Sequence, residues 1–320
     1  MRKSTKIWLI AAACLVLIGC IMFGGVMSML KWDFTKLSTV KYETNNYEIF
    51  EDYQNISIVT DTADIVFVPS ENQNTHVLCH EQQNMKHSVT VKEGTLVIEV
   101  VDTRKWYEHI GIHFGGPKIT VAIPKKQYGT LSVKTDTGDI AIPKNFTFES
   151  IAVSGSTGNV ANYASALDGI KITTSTGKIT VNNVSAGQID LSVSTGSVAV
   201  SAVTCAGDVQ IRVSTGKTDL ADIQCNNLTS SGSTGSISLS NVIATGKISI
   251  QRSTGNVRLH ESDAAEIFVE TDTGDITGSL LTDKVFIAHT DTGRVDVPGT
   301  VTGGKCELRT DTGDISVTVK

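Results

Sequence analysis

The stretch Ile267-Phe268-Val269-Glu270-Thr271-Asp272-Thr273-Gly274-Asp275-Ile276 decides the fold. Ile267 and Val269 stand two apart, a Thr-Gly pair follows, and Ile276 resumes the apolar pattern. The same arrangement recurs along most of the chain. Thr-Gly falls with its Gly at 138, 158, 177, 196, 216, 235, 255, 274, 293 and 313, at intervals of 19 or 20 residues. A fixed period of this length marks a repeat architecture.

Each Gly can be set as position eight of its unit. Position one then reads Leu131, Ile151, Ile170, Ile189, Val209, Leu228, Ile248, Ile267, Phe286 and Cys306. Position three reads Val133, Val153, Ile172, Leu191, Ile211, Ser230, Ile250, Val269, Ala288 and Leu308. Position ten reads Ile140, Val160, Ile179, Val198, Thr218, Ile237, Val257, Ile276, Val295 and Ile315. Position twelve is mostly aliphatic, Asn162 and Gly278 excepted, and position fifteen adds Val184, Val203, Ile223, Val242 and Leu281.

Apolar residues two apart have the strand period, not the helical one. Each unit therefore predicts two short strands joined by a turn at Ser/Asp-Thr-Gly, where Gly suits a positive φ. One coil cannot bury its own inward face. Coils stacked ~4.8 Å apart pair every strand with its equivalents and align the aliphatic residues into ladders. The expected fold is all-β: a parallel β-solenoid of ~19-residue coils with an irregular β N-terminal cap, preceded by one transmembrane helix. The general preference for right-handed parallel crossovers makes it right-handed.

A first coil comes early, at Ile56-Ser57-Ile58-Val59-Thr60-Asp61-Thr62-Ala63-Asp64-Ile65-Val66-Phe67, with Ala63 in the glycine position. The residues between it and Gly138 read as ordinary strands at Thr75–His80, Ser88–Lys92, Thr95–Val101 and Lys118–Ile123, with a hairpin at Lys92-Glu93-Gly94-Thr95. The expected organisation is a cytoplasmic tail over 1–6, a membrane helix over 7–30, a linker over 31–47, a first coil and β cap over 48–130, and regular repeats over 131–320. No cap is visible after Lys320, so that end is either blunted by a short strand or an interface.

Ile7 to Leu30 is 24 residues without a charged side chain. That exceeds the ~20 needed to span the hydrocarbon core. Arg2, Lys3 and Lys6 precede it, so the positive-inside rule puts the N-terminus in the cytoplasm and the β region outside the cell membrane. Two alternatives are a cleaved signal peptide and a lipoprotein cut before Cys20 in Leu17-Ile18-Gly19-Cys20. Against the second, Ile21-Met22-Phe23 stays apolar. The net charge is −6, and the N-terminal cations make the remainder more acidic still. An acidic surface argues against nucleic-acid binding. Four scattered cysteines outside the span, Cys79, Cys205, Cys225 and Cys306, are not a disulfide framework.

The Asp/Ser-Thr-Gly-Asp/Lys-Ile turn every ~19 residues resembles the bacterial DUF4097 proteins, β-strand-repeat proteins described as candidate adhesins. The apolar span, Trp32-Asp33-Phe34, Leu37-Ser38-Thr39 and the Asp61–Ile65 coil are similar to its membrane-anchored members. The resemblance implies the solenoid fold, at most a link to cell-envelope stress, and no catalytic motif.

Several groups are candidates for chemistry. Asp61/Asp64, Asp136/Asp139, Asp272/Asp275, Asp291 and Asp311/Asp314 share one turn, and Asp272, Asp291 and Asp311 are expected to stack in adjacent coils. Stacked carboxylates suit Ca²⁺, but Asp also favours turns by bonding nearby backbone N–H groups. Ser156 to Ser253 replace the acid in six consecutive coils, so turn chemistry is the reading and no metal or cofactor is assigned.

Trp106, Tyr107, His109, His113 and Phe114 crowd one segment before Gly115-Gly116-Pro117. They suit either a cap over the solenoid end or a partner or glycan contact. Cys205 and Cys225 share a register position with Ala186 and Ala244, which favours small corner-filling residues over a strained disulfide.

Hydrolase, phosphate-loop and zinc-protease motifs are absent. The expected function is non-catalytic binding or scaffolding at the cell envelope, in stress sensing or regulation. The membrane and either envelope proteins or wall and glycan polymers are the expected partners. An adhesin and a polysaccharide-active enzyme are the alternatives. A sensor would need a partner in or across the membrane, because a six-residue tail cannot signal alone.

Overall fold

The computed structural model describes residues 3–33, 41–71, 73–105 and 116–320. It begins with the helix Lys3–Met29, of which Thr5–Met29 is long and apolar enough to cross a membrane. Lys31 and Trp32 take positive φ, and Trp32 N–H closes back on the Met27 carbonyl at 2.8 Å, ending the helix.

The rest is a parallel β-solenoid whose coils stack in the register expected from the repeat. Ile151 pairs with Leu131 and Ile170, Val153 with Val133 and Ile172, and Val160 with Ile140 and Ile179. The inward residues at positions one, three and ten form one continuous core in which Ile172, Leu191, Ile211, Ile237 and Ile250 have no exposure. Trimming one such side chain to Ala costs about 2–5 kcal/mol.

A third ladder completes the middle coils. Val184 to Ala186 pair with Val203 to Cys205, and Ile223 to Cys225 with Val242 to Ala244. Its corner is left-handed at Asn183, Ala202, Asp222, Asn241 and Glu261, with φ between 47° and 55°. Leu281, expected at position fifteen, is instead 39% exposed, because the chain leaves its coil after the buried Leu280.

The glycine corner has a cause beyond its own turn. The ten glycines have φ between 127° and 155°, a region closed to L side chains. A Cβ on Gly216 would also lie 1.5 Å from the carbonyl oxygen of Gly196, one coil below. Each coil thus forbids a side chain on the next. Ala63 opens the row: no preceding Thr-Gly carbonyl lies beneath it, and it escapes the positive φ of its successors.

The first coil stacks directly on the Gly138 coil, Ile56 opposite Leu131 and Ile65 opposite Ile140. The intervening residues form the first end. Thr95–Asp102 and Lys118–Ile123 add parallel strands to the first coil. Outside them, Met85–Lys92, Thr75–Gln82 and Tyr42–Ile49 run antiparallel. The hairpin turns at Glu93-Gly94, both at positive φ.

The other end departs from sequence order. Glu266–Thr273 pairs with Gly304–Thr312, and that strand pairs in turn with Lys284–Thr292. Ile276–Leu280, Ile315–Val319 and Val295–Asp296 repeat the same order. The last coil in sequence is therefore inserted beneath the coil that precedes it. Gly303 and Gly304 fit the slot: a Cβ on either would lie 1.8 Å from the carbonyl of Asp283 or Ala265 respectively. The expectation that the chain terminus is the bare end is thereby corrected, since the outermost coil is 284–296.

Candidate functional site

The turn acids divide by position. Those just after the glycine row are tied to the next coil. Asp64 Oδ1 accepts from Asp139 N–H at 2.9 Å, Asp139 Oδ1 from Asn159 N–H at 2.7 Å, and Asn159 Oδ1 from Lys178 N–H at 3.0 Å. Asn256, Asp275 and Asp314 continue the pattern toward Asp275, Asp314 and Arg294. These acids bond the neighbouring coil's amide and not an N–H of their own turn. Asp272 and Asp291 are not neighbours, because the inserted coil places Asp311 between them. That corrects the expected stacking order.

Among the described residues, only Cys79, Glu81 and His87 bring three ligand-type atoms of His, Cys, Asp or Glu within 4.8 Å of one another. The sequence reading did not single them out. All three are buried, on facing strands of the first end. Glu81 Oε2 accepts from His87 N–H at 2.6 Å and from Nδ1 at 2.7 Å, while Oε1 accepts from Asn45 Nδ2 at 2.7 Å. His87 Nε2 and Thr60 Oγ1 lie 2.8 Å apart.

The Glu81 carboxylate thus holds the Nδ1 side of the ring and turns Nε2 toward the Thr60 hydroxyl. Every polar atom of Glu81 and His87 has a partner without an ion. Burial, reinforced by Glu81, pushes the Cys79 thiol up to about 12, so it is held as a neutral thiol. Hydroxyl, imidazole and carboxylate are ordered as nucleophile, base and orienter. Yet Thr60 is 5% and His87 2% exposed, so no substrate reaches the hydroxyl with this end closed. The group closes the core where another coil would stack.

A second buried cluster explains two exceptions in the ladders. Arg252 lies inside the stack at position five, 3% exposed. Its guanidinium donates to Thr218 Oγ1 at 3.1 Å, Ser230 Oγ at 3.0 Å and the Val213 carbonyl at 3.4 Å. It fills the room left by Gly232, whose added Cβ would meet Nη1 at 1.9 Å. Its Nε has no partner, and burial lowers the guanidinium's pKa. The polar Thr218 and Ser230 thus serve one misplaced cation.

Trp106, Tyr107, His109, His113 and Phe114 lie outside the described residues. The aromatics that do fill the first end are Tyr53, Tyr128, Phe146 and Phe148, with Tyr128 stacked on Tyr53 at 6.0 Å and on Phe148 at 5.7 Å. Cys205 and Cys225 are buried free thiols in the corner, and Cys205 Sγ lies 3.6 Å from the Gly187 and Asp208 carbonyls.

On the outward surface a groove of about 410 Å³ crosses four consecutive coils. Asp168, Lys171, Gln188, Asp190, Asp208 and Gln210 line it. Arg212 holds Asp190 at 2.6 Å, with Lys171 at 3.8 Å. Asp208 Oδ1 accepts from Asn226 Nδ2 at 3.0 Å and Asn227 Nδ2 at 2.9 Å.

The stacked coils, the glycine corner and the apolar helix define a helix-bearing β-solenoid. The chain belongs to the Toastrack DUF4097 family, whose model matches residues 53–212 and 204–320. No curated protein matches it.

Three solved structures are similar over most of the chain. A candidate adhesin from Parabacteroides merdae is 14% identical, with 88% of this chain and 96% of that chain covered and a TM-score of 0.40. A candidate adhesin from Bacteroides fragilis is 16% identical, with 88% and 97% covered and a TM-score of 0.38. A candidate lipid binding protein from Parabacteroides distasonis is 17% identical, with 75% and 95% covered and a TM-score of 0.32.

Proposed function

We propose that the protein is a single-pass membrane protein whose coil stack stands outside the cell and binds an extended envelope glycan without catalysing a reaction. The groove across four coils carries this reading. Gln188 and Gln210 offer amide donors and acceptors, and Asp168 and Asp208 offer carboxylate acceptors, spread over three neighbouring coils. Such groups pair with the vicinal hydroxyls of sugars. An open groove suits a chain-like ligand better than a small enclosed one. The ion pairs of Asp190 with Lys171 and Arg212 leave that acid engaged rather than poised for acid–base work.

The helix Thr5–Met29 supports the anchor, and Arg2, Lys3 and Lys6 favour a cytoplasmic N-terminus. A role in envelope-stress sensing requires a second membrane component, which in-cell crosslinking of the anchored chain would identify.

The direct test measures binding of the full chain to purified cell-wall glycans. Replacing Gln188→Ala and Gln210→Ala together should weaken binding at least about tenfold, ~1.4 kcal/mol. Unchanged binding in that variant, or no binding of the intact chain, rules the groove out.

A further inference from the structure

The outermost coil at the last end is paired on one side only. Each residue of Lys284–Thr292 faces Gly304–Thr312, and no described strand pairs its other edge. Its inward residues lose cover as a result. Phe286 and Ala288 are only partly buried, whereas Ile267, Val269 and Leu308 at the same positions are buried. Val295 is 45% exposed, whereas Ile276 and Ile315 show no exposure. The outward residues are apolar too. Ile287 is 49% and Val285 39% exposed, where the inserted coil carries Glu307 and Lys305.

Val285-Phe286-Ile287-Ala288 is thus an apolar run on an open strand edge. Proteins usually blunt such edges with lysine, proline or a bulge. Lys284 does not serve here. It is buried, and its Nζ reaches past the inserted coil to Asp263 Oδ1 at 2.6 Å and to Thr282 Oγ1 at 2.5 Å. The lysine pins the coil in place and leaves its edge unguarded.

We infer that this edge docks a second copy of the same chain, tip to tip. The apolar run is self-complementary: antiparallel pairing about a two-fold sets it against itself. The charges beyond it are mixed in sign, with Asp291, Arg294 and Asp296 exposed and His289 beside Asp291 at 3.0 Å. A two-fold can therefore oppose acid and base instead of like charges. Head-to-tail stacking would set this apolar run against Tyr42–Ile49, the outermost strand of the first end, whose exposed residues Thr44, Asn46 and Glu48 are polar. The contact left is isologous and closes at two copies.

The apolar helix enters the fold through Tyr42–Ile49, at the end away from this edge. A tip-to-tip pair therefore carries its two helices at opposite ends and bridges two membranes. That last step rests on the membrane-anchored reading above, whereas the tip contact does not.

The experiment uses the full chain. In detergent micelles, light scattering should give a dimer, and Ile287→Lys should give a monomer with an unchanged circular dichroism spectrum. Glu48→Lys at the other end should leave the dimer intact. In liposomes with the coils facing outward, the wild type should cluster vesicles and Ile287→Lys should abolish clustering. A monomeric wild type overturns the proposal, and a foreign strand co-purifying on this edge overturns it in favour of another occupant. A dimer that survives Ile287→Lys removes the tip contact. A tip-dependent dimer that never clusters vesicles removes the bridge between membranes and leaves the anchor to be tested separately.

Discussion

At the first end of the stack, three antiparallel strands and a buried hydrogen-bond network stand where another coil would be. At the last end, a coil of the ordinary kind stops with its edge open. A solenoid end can be closed by polar groups only if every one of them is satisfied inside the cap. Glu81 and His87 meet that condition. The last end has no such network, so its apolar residues stay half-covered. The closed end is bound by its own chain, and the open end is available to a partner.

The largest expected effect breaks the closed end. Glu81→Ala leaves His87 N–H and His87 Nδ1–H without their acceptor in a fully buried place. Each buried donor left unsatisfied costs about 1–3 kcal/mol, and two are left here. Urea unfolding of the variant would show it. A loss well under 1 kcal/mol would mean that strand pairing alone closes this end.

The next effect concerns the array between the ends. Gly216→Ala forces a side chain onto φ 142° and against the Gly196 carbonyl, at about 3 kcal/mol. Ala63→Gly occupies the same register position in the first coil and should cost no more than about 1 kcal/mol. Equal losses would show that the glycine row is a matter of the turn and not of the coil beneath.

That contrast marks what the sequence could and could not disclose. The Thr-Gly spacing and the alternation at positions one, three and ten specify which residues are equivalent, and the coils stack in that register. Equivalence does not say which equivalents are neighbours. Phe286 and Cys306 fit the pattern equally well in either order, so the inserted coil leaves no periodic trace. The second corner was hidden because Asn183, Ala202, Asp222, Asn241 and Glu261 share no residue type, only a backbone conformation. Thr218 and Ser230 are polar at otherwise apolar positions, but nothing in their spacing links them to Arg252. His87 and Glu81 meet across two strands, in a segment that lacks the repeat altogether. The groove draws on outward strand positions such as Lys171, Asp190 and Gln210 and on the turns beside them, which the apolar pattern of the inward positions does not mark.

Two buried thiols compare the ends directly. Cys79 sits beneath the closed end and Cys306 beneath the open coil, both without exposure and both pushed up to about 12, chiefly by burial. Labelling of either therefore requires local opening. Cys306 should react at least about tenfold faster than Cys79 under native conditions, a difference of ~1.4 kcal/mol in opening. Equal rates would mean that the outer coil is held as firmly as the cap. Mass mapping after a short pulse of alkylating reagent distinguishes the two.

The smallest effect concerns acid at the open end. Asp314 Oδ1 accepts from Arg294 N–H at 2.9 Å and Oδ2 from Arg294 Nη2 at 3.1 Å, tying the inserted coil to the outer one. The backbone N–H, and then the guanidinium, hold its carboxyl below the usual carboxylate range. A depressed folded value means that the tie is fully present above the unfolded pKa, near 3.9. It is lost as pH falls through the folded value. Because the carboxylate faces solvent, its contribution is modest and screened by salt. Hydrogen exchange at the Arg294 amide is the readout, corrected for the intrinsic pH dependence. Protection should drop as pH falls below about 4 in the wild type, while Asp314→Asn should show no such step. The tie lies between the last two coils, so amides of the closed end, such as that of His87, should keep their protection through the same range. If they drop with Arg294, acid is loosening the whole stack, and the open end owes nothing particular to Asp314.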